Sequence, residues 1–166
     1  MKITLTGTPG TGKTTVSRKL AEEGFEVVHL TQFLEENDIG EKVKGEREVR
    51  VNQMVQEVQE KSFEEDTVIE GHLAHHVPAD ICIVLRCRPD ILEERLSKRS
   101  YTDRKVEENI ESEKIDIVLS EAVQKQEKVV ELDTTDKNVE ETVEELIEKV
   151  EKREEDYGEV DWTTYI

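Results

Sequence analysis

Long apolar runs, paired cysteines and basic charge are all scarce in this 166-residue chain. No stretch of about 18 consecutive apolar residues occurs, so no membrane span is predicted. Met1–Thr6 leads straight into a glycine-rich segment and leaves no room for a signal peptide, so we expect a cytoplasmic protein. Cys82 and Cys87 fall on one predicted strand and its exit, and neither a disulfide framework nor a metal site is predicted for them. We expect both to be buried thiols.

Basic residues are outnumbered by acidic ones, 23 Lys and Arg against 41 Asp and Glu, which gives a net charge of −18. The field of such a surface repels the phosphates of nucleic acids, so direct DNA binding is not expected. It favours a basic protein partner instead. The composition is also typical of surfaces adapted to high salt or to heat, and it does not choose between the two.

Strand-like and helix-like segments alternate along the chain. Predicted strands lie at 2–6, 25–30, 67–70, 79–87 and 129–132. Predicted helices lie at 14–23, 31–36 with Thr31 as the cap, about 48–61, 89–98 and 136–150. One long helix after residue 104 is predicted to carry Val106, Ile110, Ile117 and Val123 on one face. Residues 41–52 show no clear period and are predicted to be a mobile segment that leads into a helix.

This alternation predicts a three-layer α/β/α fold around a five-stranded, mostly parallel sheet, with a single domain over residues 1–166. The run at 79–87 is almost continuously apolar, as expected of a strand buried on both faces. Ligands of such sheets bind at the carboxyl ends of the strands. The aromatic end, Val160–Ile166, is expected to dock on the body or to contact a partner.

The strongest motif is Gly7–Thr14, which reads G-x-x-x-x-G-K-[ST] between a predicted strand and a predicted helix. This is the pattern of a P-loop, the name used below for these residues. Its glycines let backbone N–H groups approach the β- and γ-phosphates of a nucleotide closely. Lys13 is predicted to neutralise charge on the transferred group, and the Thr14 hydroxyl is predicted to bind Mg²⁺. Thr15 can add a contact toward the α-phosphate.

A second motif, Glu70-Gly71-His72, ends the third predicted strand of the sheet. A carboxylate at the end of a buried strand beside a P-loop is the Walker-B position, which holds Mg²⁺, usually through water. Glu70 is therefore a predicted metal-site residue. His72, His75 and His76 form only a weak metal motif, and zinc is not expected there.

Basic residues cluster after the fourth predicted strand of the sheet. Arg95 and Arg99 are spaced i, i+4 and project from one helix face. Surface pairing with nearby glutamates is one interpretation. The other is a lid that closes over ATP, excludes water and stabilises the transferring phosphoryl group.

Together these segments resemble adenylate kinase isoenzyme six and its archaeal relatives, a branch of the nucleoside monophosphate kinases. The resemblance spans most of the chain. It rests on Leu5–Thr15, Glu70–His72, Ile83–Arg86, Leu92–Leu96, Arg99–Tyr101 and Lys105–Ile110.

The resemblance implies a nucleoside-monophosphate-binding segment at about 30–53 and a short lid at about 99–109. It implies a catalytic role for Lys13, Glu70, His72 and Arg99 and a Mg²⁺ ion held by Thr14 and Glu70. It places ATP against Gly10, Gly12, Lys13, Thr14, Thr15 and Arg99, with Lys137 near the adenine. Arg95, on the same predicted helix face as Arg99, is expected to contact ATP as well. Members of this family are also associated with ATP hydrolysis and with maturation of the small ribosomal subunit through a basic ribosomal protein.

The function expected from these features is transfer of the γ-phosphoryl group of MgATP to AMP, giving two ADP. One alternative is an ATPase assembly factor in which kinase activity is incidental. Another is a kinase that acts on a different small molecule. A GTPase is disfavoured because no N-K-x-D motif follows the fourth or fifth strand of the predicted sheet.

Overall fold

A computed structural model describes residues 1–63 and 66–166 of the chain. In those residues the strands are β1 (Lys2–Gly7), β2 (Glu26–His29), β3 (Glu41–Val43), β4 (Glu46–Glu48), β5 (Thr67–Glu70), β6 (Ile81–Arg86) and β7 (Val129–Asp133). The helices are α1 (Lys13–Glu22), α2 (Leu30–Glu36), α3 (Val51–Glu60), α4 (Pro89–Ser97), α5 (Asp103–Lys114), α6 (Ile117–Lys125) and α7 (Val139–Lys152). Short 3₁₀ turns occupy Ala74–His76 and Thr163–Tyr165.

Five strands form one parallel sheet in the order β2-β5-β1-β6-β7, which confirms the predicted architecture. The sheet is buried on both faces because helices cover each side. Ile3 and Leu5 of β1 pack with Leu20 of α1 and Leu146 of α7 in one apolar cluster. On the opposite face, separate clusters join β5 to α2 and α3, and join β6 to α6. No helix in the described residues is long and apolar enough to cross a membrane.

Residues 41–52 show no clear period in the sequence, yet the structure folds most of them into regular elements; their mobility stays a prediction. β3 and β4 form a small antiparallel hairpin outside the main sheet, and α3 follows at Val51. The two residues between the strands, Lys44 and Gly45, both have positive φ, at 49° and 82°. Positive φ at both central positions is the type I′ hairpin geometry. The sequence conceals it because lysine occupies the place where asparagine or aspartate usually gives the signal.

The long helix predicted after residue 104 is wrong, because the chain divides it into α5 and α6. Asp116 adopts a left-handed conformation at the break, with φ 58°. The break turns the Asp116 carboxylate toward Arg86, with which it forms an ion pair. It also leaves Ile117 40% exposed, so this residue does not continue the apolar face. An ion pair to a distant strand thus overrides the local helical pattern.

Two helix starts differ from the prediction. Thr31 does not cap α2, which begins one residue earlier with His29 at the N-cap position and no side-chain cap bond. The last helix begins at Val139 rather than at Asp136, because Asn138 and Glu141 form a reciprocal capping box.

The cysteines and the C-terminal tail lie where the sequence predicts. Both thiols are buried and free, and burial raises the pKa of Cys82 to about 12 and that of Cys87 to about 11. Asp156 bridges to β7, and the backbone N–H groups of Gly158 and Val160 donate to Glu131. The tail therefore packs on the body beside the β6–β7 edge.

Candidate active site

The loop of residues 7–14 connects the carboxyl end of β1 to the first turn of α1. Its path needs glycine at position 10, where φ is 92° and an added Cβ would lie 2.9 Å from Leu92 Cδ1 and 3.0 Å from Leu96 Cδ2. Gly12, with φ 106°, occupies the N-cap position of α1 without a side-chain cap. The backbone N–H groups at this helix start are thus available to an anion, as in other P-loops.

Lys13 lies inside the concavity of this loop with only 8% of its surface exposed. Its ammonium group donates hydrogen bonds to the carbonyl oxygens of Gly7, at 2.8 Å, and Thr8, at 3.0 Å. Burial lowers the pKa of Lys13 to about 8, while the nearby Glu70 carboxylate opposes the shift. The side chain therefore supplies positive charge where the motif places the nucleotide phosphates.

A buried glutamate accepts a hydrogen bond from the loop of residues 7–14. Glu113 is 2% exposed, and its Oε2 accepts a 2.6 Å hydrogen bond from Thr8 Oγ1. Its Oε1 accepts from Arg86 Nε at 2.8 Å, from the Cys87 N–H at 3.1 Å and from Trp162 Nε1 at 3.2 Å. One side chain thus connects α5, β6, the P-loop and the C-terminal tail. No local motif marks Glu113, and sequence analysis missed it.

Glu70 lies at the carboxyl end of β5, in register with Leu5 of the adjacent β1. Its side chain is largely buried, and its Oε2 lies 2.8 Å from His29 Nδ1. His29 ends β2 and is the register partner of Glu70 across the sheet. Sequence analysis missed this contact because the pairing of β2 with β5 depends on the strand order.

The residues predicted to hold Mg²⁺ lie in one cavity. Thr14 and Glu70 line it together with Lys13, and we call it the P-loop cavity. A hydroxyl and a carboxylate are the hard oxygen donors that Mg²⁺ prefers. The donor set therefore fits Mg²⁺, and its remaining ligands would come from water and nucleotide phosphate.

His72 borders the P-loop cavity at the mouth of the cleft, where its ring reaches solvent. Confinement in the cleft lowers its pKa to about 4, with Lys13 and Lys105 adding to the shift. The imidazole is therefore neutral at physiological pH. It can donate or accept a hydrogen bond, but it does not add positive charge.

Arg95 and Arg99 line a common cavity, but they make different contacts. Arg95 donates to the carbonyl oxygens of Gly10, at 3.3 Å, and Thr134, at 3.2 Å, so it braces the P-loop against the loop after β7. Arg99 is exposed and borders the P-loop cavity. Arg99 is thus the one of this pair whose guanidinium is placed to reach a phosphate.

A second cavity lies beside the P-loop cavity, against the start of α7, and we call it the α7 cavity. Gly10, Gly12, Thr15 and Arg99 line both cavities. Lys137 lines the α7 cavity and forms an ion pair with Glu145. Lys137 thus lines the same cavity as residues of the P-loop, and its position near the adenine stays a prediction.

A third cavity extends from the P-loop cavity toward the β3–β4 hairpin, and we call it the hairpin cavity. Pro9, Thr31, His72 and Tyr101 line both of these cavities. The far wall of the hairpin cavity comes from β4 on one side and from α5 on the other. The three cavities are therefore contiguous, with the P-loop in the middle.

Comparisons with known proteins agree with this architecture. Residues 3–116 match the profile of a family described as an AAA domain. The "Putative adenylate kinase" of Pyrococcus abyssi is 43% identical over 98% of this chain and 92% of its own length. Proteins of the same name are 45% identical in Pyrococcus furiosus, over 98% of this chain and 92% of theirs, and 42% identical in Natronomonas pharaonis, over the full length of both.

Solved structures show the same fold at lower identity. A shikimate kinase from Bacteroides thetaiotaomicron superposes with a TM-score of 0.60 and 21% identity, covering 91% of this chain and 98% of the other. A deoxyadenosine kinase from M. mycoides with bound dATP gives a TM-score of 0.59 and 16% identity, covering 91% and 100%. The solved structures show the fold of this chain, and the sequence relatives show the family to which it belongs. The chain belongs to the family of adenylate-kinase-like P-loop kinases that those relatives represent.

Proposed function

We propose that this protein transfers the γ-phosphoryl group of MgATP to AMP, giving two ADP, as a member of the isoenzyme-six branch of the family. The observation that carries the proposal is the row of three contiguous cavities. The α7 cavity suits the adenosine of ATP, the P-loop cavity suits its phosphates, and the hairpin cavity suits the acceptor. His72 and Tyr101 line the boundary between donor and acceptor.

The hairpin cavity offers an anionic acceptor three cations, Lys42, Arg47 and Lys105, and the carboxylates of Glu35, Glu46 and Glu121 line it as well. Arg47 Nε and Asn109 Nδ2 are buried, and neither has a hydrogen-bond partner within residues 1–63 and 66–166. The two residues line the cavity from opposite walls, one on β4 and one on α5. Lys42 and Lys105 add positive charge to the same walls. Buried donors of this kind gain most from a phosphate ligand.

The two walls coincide with the segments expected to close over substrates. The hairpin belongs to residues 30–53, the proposed monophosphate-binding segment, and α5 begins within residues 99–109, the proposed lid. Lys105 Nζ on α5 lies 3.4 Å from a carboxylate oxygen of Glu46 on β4, so an ion pair connects the two segments across the cleft. Closure would exclude water from the reacting phosphates.

The proposed reaction is in-line displacement at the γ-phosphorus of ATP. A phosphate oxygen of AMP forms the new P–O bond with its own lone pair, and the bond to the β,γ-bridging oxygen breaks to release ADP. The acceptor oxygen is already anionic, so no strong general base is required. Lys13 and Arg99 neutralise charge on the transferring group, and His72 orients the acceptor. Thr14 and Glu70 would hold the Mg²⁺ ion, which would supply further neutralisation of the phosphate charge.

The same site can hydrolyse ATP if water replaces AMP in the hairpin cavity. The net charge of −18 favours a basic partner, and we include a small-subunit ribosomal protein in the proposal on that ground. A cytoplasmic location follows from such a partner. In this second candidate function, the partner changes the hydrolysis rate and AMP is not consumed.

Product analysis with MgATP, with and without AMP, tests the proposal. We expect AMP and ATP to disappear one for one while two ADP form. Lys13→Ala should lower the rate by about 10²–10³-fold. Lys19→Ala is the matched control, because Lys19 lies on the same helix and pairs with Glu22 at the surface.

Two results would contradict the kinase proposal. A Lys13→Ala variant with near-normal transfer would remove the P-loop from the mechanism. Formation of ADP and phosphate from ATP, with AMP untouched, would make the protein an ATPase and direct the search to its partner.

A further inference from the structure

Two histidines and a glutamate meet beside the hairpin cavity, outside the residues used above. His75 and His76 lie on the 3₁₀ turn after β5, and Glu121 lies in the middle of α6. One ligand atom from each residue falls within 4.8 Å of the others. The sequence places Glu121 some 45 positions away from the histidines, so only the fold assembles the group.

The distances within the group are short enough for its side chains to share one ion, and one of the two contacts also has the length of a hydrogen bond. His75 Nε2 lies 2.8 Å from Glu121 Oε2, and His76 Nε2 lies 3.7 Å from the same oxygen. The second distance is too long for a hydrogen bond. Ligand atoms around a tetrahedral zinc ion lie about 3.3 Å apart, given bonds of ~2.0–2.1 Å. The 2.8 Å contact is about 0.5 Å below that separation and the 3.7 Å contact is about 0.4 Å above it.

The fold fixes the orientation of His75. Its ring is 1% exposed, and its Nδ1 lies 2.9 Å from Thr6 Oγ1 on β1. Gln126 donates to the carbonyl oxygens of His75, at 2.6 Å, and Val77, at 2.9 Å, which holds the 3₁₀ turn against α6. A hydrogen bond at one ring nitrogen that directs the other toward a metal is the usual second contact of a ligand histidine.

One ring nitrogen of the second histidine has no hydrogen-bond partner among the described residues. His76 Nδ1 is buried and has no partner in the part of the chain that the structure describes. Glu121 remains about half exposed and lines the hairpin cavity, which leaves an entry path from solvent.

We propose that His75, His76 and Glu121 bind one divalent transition-metal ion of the zinc class, with the remaining coordination position open to the hairpin cavity. Two imidazoles and a carboxylate are the donor set of an open three-ligand zinc site. This set differs from Thr14 and Glu70, whose oxygen donors select Mg²⁺. The site does not depend on the proposed kinase reaction.

Metal titration of the full chain tests this site without any nucleotide. Zn²⁺ affinity is measured by competition with a chromogenic chelator, and Co²⁺ is added separately to record its visible absorption. Excess Mg²⁺ is present throughout to occupy sites made only of oxygen. We expect one equivalent of Zn²⁺ or Co²⁺, and at least tenfold weaker binding in His76→Gln and in Glu121→Gln.

The controls separate this site from other donors. His29→Gln removes the histidine beside Glu70, and Glu151→Gln removes an exposed carboxylate on α7; both should leave Zn²⁺ affinity unchanged. Circular dichroism checks the fold, and His76 and Glu121 are chosen because His75 is fully buried and its replacement endangers folding. Wild-type binding no tighter than that of His76→Gln, or loss of binding in His29→Gln instead, overturns the proposal.

Discussion

The P-loop and the β3–β4 hairpin line the same cavity, yet they are attached to the protein differently. The P-loop follows β1, which pairs with β5 on one side and β6 on the other and is buried over most of its length. Within residues 1–63 and 66–166 the hairpin strands pair only with each other, and five of their six residues are exposed. An isolated two-stranded hairpin is marginally stable by itself.

This difference assigns separate tasks to the two sides of the cleft. A loop anchored in the core keeps its N–H groups and Lys13 in one arrangement, which electrostatic stabilisation of phosphoryl transfer requires. A hairpin with few core contacts can move when an acceptor binds, because local opening free energies are lowest where little apolar surface is buried. Buried Ile39 and the Arg47 guanidinium, which donates to Ile39 O at 2.7 Å, are its main anchors.

The largest effect that we predict is a loss of stability when the buried hydrogen-bond network around Glu113, which contacts the P-loop, is disrupted. Glu113→Ala removes the acceptor shared by Arg86, Cys87, Trp162 and Thr8 and leaves the buried Arg86 with fewer carboxylate partners. Unfolding free energy should fall by about 3–5 kcal/mol, as for other broken buried ion pairs. Urea denaturation measures it.

The control for that change is Glu111→Ala on the same helix. Glu111 pairs with Lys114 at the surface, so its loss should cost less than about 1 kcal/mol. Equal destabilisation by the two substitutions would contradict the view that the Glu113 network holds the P-loop side together.

The next largest effect is predicted for the β3–β4 hairpin, where substitutions of two glycines form a matched pair. Gly40 and Gly45 have the same φ of 82°. A Cβ at position 40 would lie 2.3 Å from Glu48 O, whereas no atom of the described residues lies within 4 Å of a Cβ at position 45. Gly45→Ala should cost about 1–2 kcal/mol from backbone strain alone. Gly40→Ala adds a clash of about 1–3 kcal/mol.

Steady-state kinetics of the two glycine variants tests whether the hairpin and the P-loop act independently. Gly40→Ala should raise the KM for AMP at least tenfold, as the displaced strand moves Arg47, and leave the KM for ATP unchanged. Gly45→Ala should change either value much less. A parallel rise in both KM values in Gly40→Ala would show that the hairpin and the P-loop are not independent.

The sequence predicts the anchored side well because its information is local. Lys13 and Thr14 are fixed by eight consecutive residues between a strand and a helix, and Glu70 by its place at a strand end. The five-stranded parallel sheet follows from the order of apolar segments. These features need no knowledge of which distant residues meet.

Elsewhere the structure depends on contacts that no local pattern records. Glu113 is one of many glutamates on an acidic helix, and only packing against Arg86 and Trp162 distinguishes it. His29 meets Glu70 through strand order, and the break at Asp116 follows from the ion pair with Arg86. The hairpin lacks the usual turn dipeptide. Long-range pairing and charge burial decide each of these cases.

A smaller effect is expected where the lid helix meets the hairpin. Lys105→Ala removes a cation from the acceptor cavity and a surface contact with Glu46. Stability should change by less than about 1 kcal/mol, since the pair is exposed. The KM for AMP should rise about tenfold, equivalent to ~1.4 kcal/mol of binding.

Arg104→Ala is the neighbouring control, because Arg104 pairs with Glu108 along the same helix. Its KM for AMP should stay within twofold of the wild-type value, because such a surface pair is worth only ~0.4 kcal/mol. An equal response to both substitutions would indicate a general effect of net charge rather than a contact with the acceptor.

The smallest predicted effect concerns Trp162, the single tryptophan of the chain. Its fluorescence can show whether the C-terminal tail responds to ligands at the P-loop or at the hairpin. Trp162 is 8% exposed, and its Nε1 donates to the carboxylate that also accepts from Thr8 of the P-loop. Trp162→Phe keeps an aromatic ring but removes this donor, so unfolding free energy should fall by about 0.5–1.5 kcal/mol. In the wild type, ATP should shift Trp162 fluorescence because it binds the loop that shares Glu113, whereas AMP alone should not. A response to AMP equal to that of ATP would mean that the hairpin is coupled to the anchored side through the core.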